Sequence, residues 1–141
     1  MISTLAQALD ARGYTTLTAV QEAVTDPDTV GRDMLVSAQT GSGKTLGFGL
    51  AIAPGLLDGA EHFEQAGAPL ALIIAPTREL ALQVKRELAW LYEKAGATLA
   101  STVGGMDMRD ERRALARGAH VVVATPGRLR DHIMRETIDL S

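Results

Sequence analysis

The sequence predicts a three-layer α/β domain in which helices cover both faces of a parallel β-sheet. Short runs rich in β-branched and other apolar residues alternate with longer helical stretches, an order typical of strand–helix–strand units. Two of the short runs, LALIIA and HVVVA, are almost wholly apolar, as strands covered on both faces are. With 141 residues, 46% of them apolar, the chain is long enough to form one domain with a hydrophobic core.

Four strands are predicted in the segments that are rich in apolar residues and bounded by turn residues. They cover residues 33–38, 70–75, 99–103 and 120–124. Strands that are joined through helices form right-handed crossovers and a parallel sheet. Because such sheets bind ligands at the carboxyl ends of their strands, functional motifs are expected at that edge.

Two short helices are predicted before the first strand, over residues 3–12 and 18–25. Ser3 is a candidate N-cap of the first helix, and Gly13 follows as its C-terminal stop. In the second, Thr18 and Gln21 have the spacing of a capping box.

The remaining helices alternate with the strands and cover residues 44–57, 77–95, 108–117 and 127–136. Gly47, Gly49 and Pro54 weaken the first of them. The second has the most regular apolar face and ends before Gly96. Its apolar face consists of Leu80, Val84, Leu88 and Leu91.

The composition excludes several classes of protein. Without cysteine, the chain has no disulfides and no thiolate metal sites. It lacks both a signal peptide and an apolar run of about 18 residues, so we expect a cytoplasmic protein with no membrane contact. The net charge of −3 gives no global positive field, and any contact with nucleic acid must therefore come from local groups.

A glycine-rich loop joins the first predicted strand to the helix that begins at Lys44. Its glycines let successive backbone N–H groups point at a phosphate, and the helix adds the positive end of its dipole. Lys44 would meet the β- and γ-phosphates, and the Thr45 hydroxyl would ligate Mg²⁺. The alternative is a glycine-rich turn of no special purpose. The predicted phosphate-binding residues are Ala38, Gln39, Thr40, Gly41, Ser42, Gly43, Lys44 and Thr45.

Three further motifs follow the three later strands: PTRELA at 76–81, Gly-Gly at 104–105 and TPGR at 125–128. Together with the loop sequence AQTGSGKT, this set in this order resembles the motifs of DEAD-box ATP-dependent RNA helicases. The resemblance runs from about residue 5 to the C-terminus. It implies that residues 1–141 are the N-terminal part of a RecA-like ATP-binding domain that uses ATP, ADP and Mg²⁺.

The resemblance also implies that one RNA strand is contacted mainly through its backbone. Helix N-termini, hydroxyls and a few arginines suit such contacts. The alternative is that Thr77 and Thr125 are plain N-caps and that the two motif arginines are surface charges. The residues implied to contact RNA are Pro76, Thr77, Arg78, Gly104, Gly105, Thr125, Pro126, Gly127 and Arg128.

Residues 13–21 resemble the segment called the Q motif in this family. By that resemblance, the Gln21 side chain contacts the adenine edge and selects ATP over GTP, which suits an amide that both donates and accepts hydrogen bonds. The alternative is that Gln21 only closes the capping box with Thr18, and the two roles are compatible. The aromatic residue that stacks on adenine in the family would lie upstream of Met1.

Other polar residues are predicted to have no functional role. The histidines lack the spacing of metal ligands, so they are interpreted as surface or loop residues; they are His62, His120 and His132. Trp90 is interpreted as a packing residue. Residues 111–113, together with Arg117, are interpreted as a solvated helix face.

The family's Asp-Glu-Ala-Asp segment, its Ser-Ala-Thr segment and its second RecA-like domain are not among these 141 residues. Since the first of these holds Mg²⁺ and positions the attacking water, we expect nucleotide binding without turnover or unwinding. The sheet should be incomplete at the C-terminal end of the chain. We therefore expect marginal stability, self-association through unpaired sheet edges, or rearranged strands.

Two other functions are compatible with parts of the sequence. A P-loop kinase or another nucleotide hydrolase would explain Lys44 and Thr45, but it would leave the motifs at 76–81 and 125–128 as coincidence. A non-catalytic module for adenine nucleotide or RNA would predict a stable monomer with tight ligand binding.

Overall fold

The computed structural model describes residues 2–14, 16–26, 28, 32–35, 44–57, 60, 62–105 and 107–140. Within these ranges the chain forms an α/β fold. The helices are α1 (Ser3–Ala11), α2 (Ala19–Thr25), α3 (Lys44–Leu57), α4 (Arg78–Leu91), α5 (Met108–Arg117) and α6 (Pro126–Met134). The strands are β1 (Ala71–Ile74), β2 (Leu99–Thr102) and β3 (Val121–Ala124), and a 3-10 turn covers Glu93–Ala95.

The three strands form one parallel sheet in the order β1-β3-β2. Val121 of β3 pairs with Ala71 on one side and with Leu99 on the other. Every residue of β3 is buried, as predicted, whereas β1 is only partly buried and its last residue, Ile74, is exposed. Both faces of β1 are nevertheless covered in part, as predicted: Ala71 and Ile73 pack against one hydrophobic cluster, and Leu72 packs against a second cluster on the opposite face.

The earliest predicted strand is not seen in the described residues. Asp33, Met34 and Leu35 have no regular secondary structure, and the Leu35 side chain is fully exposed. The rest of that predicted strand, residues 36–38, lies outside the described residues, as do residues 39–43 of the glycine-rich loop.

Hydrophobic residues fill both sides of the sheet. Val121 and Val123 belong to the larger core cluster, which includes residues of α1, α3 and α4. Val122, which points the opposite way in the strand, belongs to a smaller cluster with Ala100, and Leu115 of α5 packs against it. The predicted three-layer arrangement is therefore confirmed.

The helices agree with the predictions except at their ends. Ile2 rather than Ser3 occupies the N-cap position of α1, and the long predicted helix ends at Leu91 before the separate 3-10 turn. Leu80 was predicted on the buried face of α4, but it is 41% exposed and Ala81 is fully buried. The buried positions 81, 84, 88 and 91 follow the three-and-four spacing of one helical face, and Leu80 lies beside that face.

The helical glycine Gly49 has a packing reason. A Cβ atom at this position would lie 2.7 Å from Leu88 Cδ2 and 2.9 Å from Leu91 Cδ2, so α3 and α4 approach closely here. The buried Tyr92 hydroxyl donates a hydrogen bond to the Gly49 carbonyl oxygen. Burial raises the pKa of this phenol and keeps it protonated as a donor. Across the described ranges, no helix is both long and apolar enough to cross a membrane.

Candidate functional site

The three later motifs begin at the same level of the sheet. Ile74, Thr102 and Ala124 are paired across the strands. One residue further on, Ala75 N donates to Ala124 O at 2.9 Å and Thr125 N donates to Thr102 O at 3.1 Å. The segments that start at Pro76, Gly104 and Thr125 therefore leave the carboxyl edge of the sheet side by side, as the alternation of strands and helices predicts.

Two arginines lie beside the Gly104-Gly105 turn. Both glycines have positive φ, +73° and +68°, a conformation that side chains rarely allow. A Cβ atom on Gly104 would lie 3.6 Å from Arg128 Nε, and one on Gly105 would overlap with the Arg78 guanidinium group. Bare backbone and two cationic groups from separate helices are thus brought together.

The two motif threonines differ in what their side chains do. Thr77 is the N-cap of α4, and its hydroxyl accepts a hydrogen bond from Leu80 N at 3.2 Å. Thr125 is the N-cap of α6, but its side chain makes no cap hydrogen bond. Pro126 occupies the first turn of that helix, where a missing N–H is harmless. The interpretation as a plain N-cap therefore holds for the Thr77 hydroxyl and not for that of Thr125.

A buried carboxylate, which the sequence reading missed, lies behind this edge. Glu111 of α5 is 3% exposed, although it was predicted to be on a solvated face. Its Oε2 accepts a hydrogen bond from Val103 N at 3.1 Å, and its Oε1 lies 3.4 Å from Arg128 Nε and 2.9 Å from His132 Nε2. Its spacing to Leu115 on the buried face of α5 is the signal that could have revealed it, because residues four apart share a face.

His132 was also misjudged as a surface residue. Its ring is fully buried. The Nε2 atom lies 2.9 Å from Glu111 Oε1, and the Nδ1 atom lies 2.6 Å from Thr137 Oγ1. In the neutral ring, Nε2–H donates to the carboxylate and Nδ1 accepts from the hydroxyl. His132 and Arg128 therefore contact the same oxygen of the Glu111 carboxylate.

His120 is likewise buried rather than exposed, at 5%. Its Nδ1 accepts from Thr98 N at 2.8 Å, and its Nε2 lies 2.6 Å from Glu64 O. It therefore joins two chain segments at the opposite, amino end of the sheet. Trp90 is a packing residue as predicted: it stacks on Tyr14 with ring centroids 5.7 Å apart, and Arg12 lies 5.1 Å from its ring centre.

The nucleotide side of the site is described only in part, since residues 38–43 lie outside the described residues. Lys44 is exposed at the start of α3, and Thr45 follows it in the first turn. The described residues at this place form a cavity of about 430 Å³. Its lining includes Val20, Val24, Lys44, Phe48 and Ile52.

Gln21 lies in the helix that packs against the start of α3. A Cβ atom on Gly47 would be 3.7 Å from Gln21 Cγ, so the two helices touch one turn beyond Lys44. The capping box is confirmed: Thr18 N donates to Gln21 Oε1 at 3.0 Å, and Gln21 N donates to Thr18 Oγ1 at 3.3 Å. Gln21 is 3% exposed.

Comparison with known proteins agrees with this arrangement of motifs. Residues 18–141 match the DEAD/DEAH box helicase family. The chain is 44% identical over 140 residues to DEAD-box ATP-dependent RNA helicase 53 of Oryza sativa subsp. japonica, which covers 97% of this chain and 22% of that protein. It is 40% identical over 133 residues to the ATP-dependent rRNA helicase rrp3 of Aspergillus oryzae, which covers 94% of this chain and 27% of that protein.

Solved structures show the same fold. A hypothetical ATP-dependent RNA helicase from Sulfolobus tokodaii superposes with a TM-score of 0.85 at 31% identity, covering 100% of this chain and 39% of the other. The RNA helicase Prp28 from Chaetomium thermophilum, bound to ADP, superposes with a TM-score of 0.81 at 37% identity, covering 99% of this chain and 34% of the other. The chain spans roughly a quarter of the length of the curated relatives and just over a third of the solved chains.

Proposed function

The chain belongs to the DEAD/DEAH box helicase family, and we propose that it is the adenine-nucleotide- and RNA-binding portion of an ATP-dependent RNA helicase. One observation carries the proposal: Arg78, Arg128 and the Gly104-Gly105 turn converge at the carboxyl edge of the sheet. In the whole protein, this portion would help to couple ATP binding and hydrolysis to local unwinding of an RNA duplex.

The RNA site of this proposal is the edge formed by the three later motifs. The two glycines expose backbone N–H groups, and the N-termini of α4 and α6 add partial positive charge. Arg78 and Arg128 bring guanidinium groups to this edge, although the net charge of the chain is −3 and Arg128 is paired with Glu111. Such groups contact phosphates and sugars without reading sequence. The proposed RNA-binding residues are Pro76, Thr77, Arg78, Gly104, Gly105, Thr125, Pro126, Gly127 and Arg128.

The nucleotide site of this proposal is the loop 38–45 together with α2. Lys44 is exposed at the start of α3, and its ammonium group would meet the β- and γ-phosphates. The Thr45 hydroxyl, next to it in the first turn of α3, is a hard oxygen ligand of the kind that suits Mg²⁺. Bound Mg²⁺ would neutralise charge on the phosphate oxygens. Gln21, which lies beside the start of α3, would read the adenine edge with its amide group, which can both donate and accept hydrogen bonds. The Prp28 structure that superposes on this chain is bound to ADP, which supports the same ligand here.

Turnover is not proposed for these 141 residues alone. They contain no Asp-Glu-Ala-Asp segment and hence none of the carboxylates that would hold Mg²⁺ and orient the attacking water. A P-loop kinase or another hydrolase would use the same nucleotide loop, but it would leave the convergence of Arg78 and Arg128 on the glycine turn unexplained.

Titration of the chain with labelled ADP and GDP in the presence of Mg²⁺ tests the nucleotide half of the proposal. We expect ADP to bind more tightly than GDP, and Lys44→Ala to abolish both. Lys94→Ala is the matched control, because Lys94 is also exposed but lies in the 3-10 turn after α4.

Equal affinity for ADP and GDP would contradict the role of Gln21 in recognising adenine, but it would not contradict phosphate binding by the loop 38–45. Undiminished binding by Lys44→Ala would contradict the phosphate loop itself.

A further inference from the structure

We propose that Glu111 is a positioning residue for the RNA edge: its single carboxylate holds the Arg128 side chain and the entrance of the Gly104-Gly105 turn at a fixed separation. The inference rests on the proposed function and deepens it, because Glu111 itself lies behind the edge and is 3% exposed. It would act through the groups that touch RNA.

The two oxygens of this carboxylate contact different parts of the edge. Oε2 accepts a hydrogen bond from Val103 N at 3.1 Å, directly before Gly104. Oε1 lies 3.4 Å from Arg128 Nε, near the start of α6. One side chain from a third element, α5, thus connects β2 and its turn to the arginine that follows β3.

The arrangement favours a fixed geometry over a loose ion pair. The side chains of Glu111 and Arg128 are 1% and 18% exposed, so water competes little for either. A buried carboxylate is costly unless nearby donors satisfy it, and Val103 N, Arg128 Nε and His132 Nε2 supply three. The Arg128 Nη1 atom lies 3.5 Å from Met108 Sδ, which further restricts the guanidinium plane.

If Glu111 positions Arg128, removal of its charge should change RNA affinity in the direction opposite to that expected from electrostatics alone. Removing a negative charge near an RNA site should strengthen RNA binding if charge alone matters. If Glu111 positions Arg128, its removal should weaken binding, because a guanidinium that is free to reorient loses more entropy when it meets a phosphate.

The test compares Glu111→Gln with Asp110→Asn by fluorescence anisotropy with a labelled single-stranded oligouridine, at several salt concentrations. Both variants lose one negative charge on α5, but Asp110 is exposed and pairs only loosely with Arg113, at 3.8 Å. We expect Glu111→Gln to weaken RNA binding by about tenfold, or about 1.4 kcal/mol. Asp110→Asn should leave the affinity unchanged or increase it.

A double-mutant cycle with Arg128→Gln separates positioning from a general loss of structure. If Glu111 acts through Arg128, Glu111→Gln should have little further effect on RNA affinity in the Arg128→Gln chain, since coupled residues are not additive. Additive effects, or tighter binding by Glu111→Gln, would overturn the inference.

The ¹⁵Nε–H resonance of Arg128 gives a second readout that needs no variant to fold. In the unaltered chain it should be shifted and protected from solvent exchange by the carboxylate; rapid exchange would overturn the inference. Loss of RNA binding in Arg128→Gln but not in Glu111→Gln would contradict the positioning role of Glu111 and leave the proposed RNA function intact. No RNA binding by the unaltered chain would remove the proposed RNA function, and the inference with it.

Discussion

Thr77 and Thr125 occupy the same place in two neighbouring motifs, yet their hydroxyls have different surroundings. The Thr77 hydroxyl accepts from Leu80 N, whereas that of Thr125 makes no cap hydrogen bond. Their sequence contexts, Pro-Thr-Arg and Ala-Thr-Pro, do not reveal this difference. Only the folded backbone shows it.

Alanine substitution should therefore separate the two threonines. Thr77→Ala should lower the free energy of unfolding by about 1 kcal/mol through loss of the cap, and Thr125→Ala should lower it by less. RNA affinity should fall in Thr125→Ala even where stability is kept. Urea unfolding and RNA titration of both variants measure this, and equal destabilisation of the two would contradict the assignment.

Residue-level prediction was good where a local pattern decides and poor where tertiary contact decides. The Thr18–Gln21 capping box needs only four residues and was predicted correctly. The burial of Glu111 and His132 depends on contact between α5 and α6. The spacing of Glu111 to Leu115 indicates a shared helix face, but it does not indicate which residues pair with the carboxylate. Charged side chains are buried only when partners are present, and those partners are distant in sequence.

At the scale of elements, α3 shows how a helix can contain residues with poor helix propensity. Gly49 lies where the leucines of α4 leave no room for a methyl group, whereas Gly55 of the same helix has nothing within 4 Å of a Cβ position. The helix boundaries at Lys44 and Leu57 matched the prediction. The reason for its glycines required knowledge of what packs against it.

The pair of glycines supplies an internally controlled test. Gly49→Ala should destabilise the chain by about 1–3 kcal/mol, because the added methyl would overlap with Leu88 and Leu91. Gly55→Ala should stabilise it by about 0.5–1 kcal/mol, since alanine favours the helix and meets no obstacle. Thermal unfolding of both variants measures the difference; stabilisation by Gly49→Ala as well as by Gly55→Ala would show that α3 and α4 are not in close contact at Gly49.

At the scale of the whole molecule, β1 has a neighbouring strand on one side only, counting the strands of the described residues. This strand is only partly buried, and Ile74 and the preceding Leu70 are 56% and 55% exposed. The alternation of strands and helices predicted the parallel sheet and its two covering layers. It did not predict which strand would lie at an edge, because strand order depends on crossovers rather than on the composition of a strand.

An open apolar edge strand promotes association between copies. We expect these 141 residues to associate as concentration rises, and Ile74→Lys to reduce that association by placing a charge on the edge strand. Met134→Lys is the control, since Met134 is 73% exposed on α6, away from the strand edge. Sedimentation velocity over a range of concentrations measures both. A monomer at every concentration would contradict this expectation.

The strand order β1-β3-β2 also sets the footprint of a ligand that lies along the carboxyl edge. Along the chain, the motifs begin at residues 76, 104 and 125, in that order. An RNA strand that crosses the edge would instead meet the motif at 76 first, the motif at 125 second and the motif at 104 last. The two steps between strands add up to about 10 Å, which is about three steps of a stacked strand with a rise of about 3.4 Å. A tetranucleotide is therefore the shortest stacked oligomer that could touch all three motifs at once, and affinity should rise steeply up to that length.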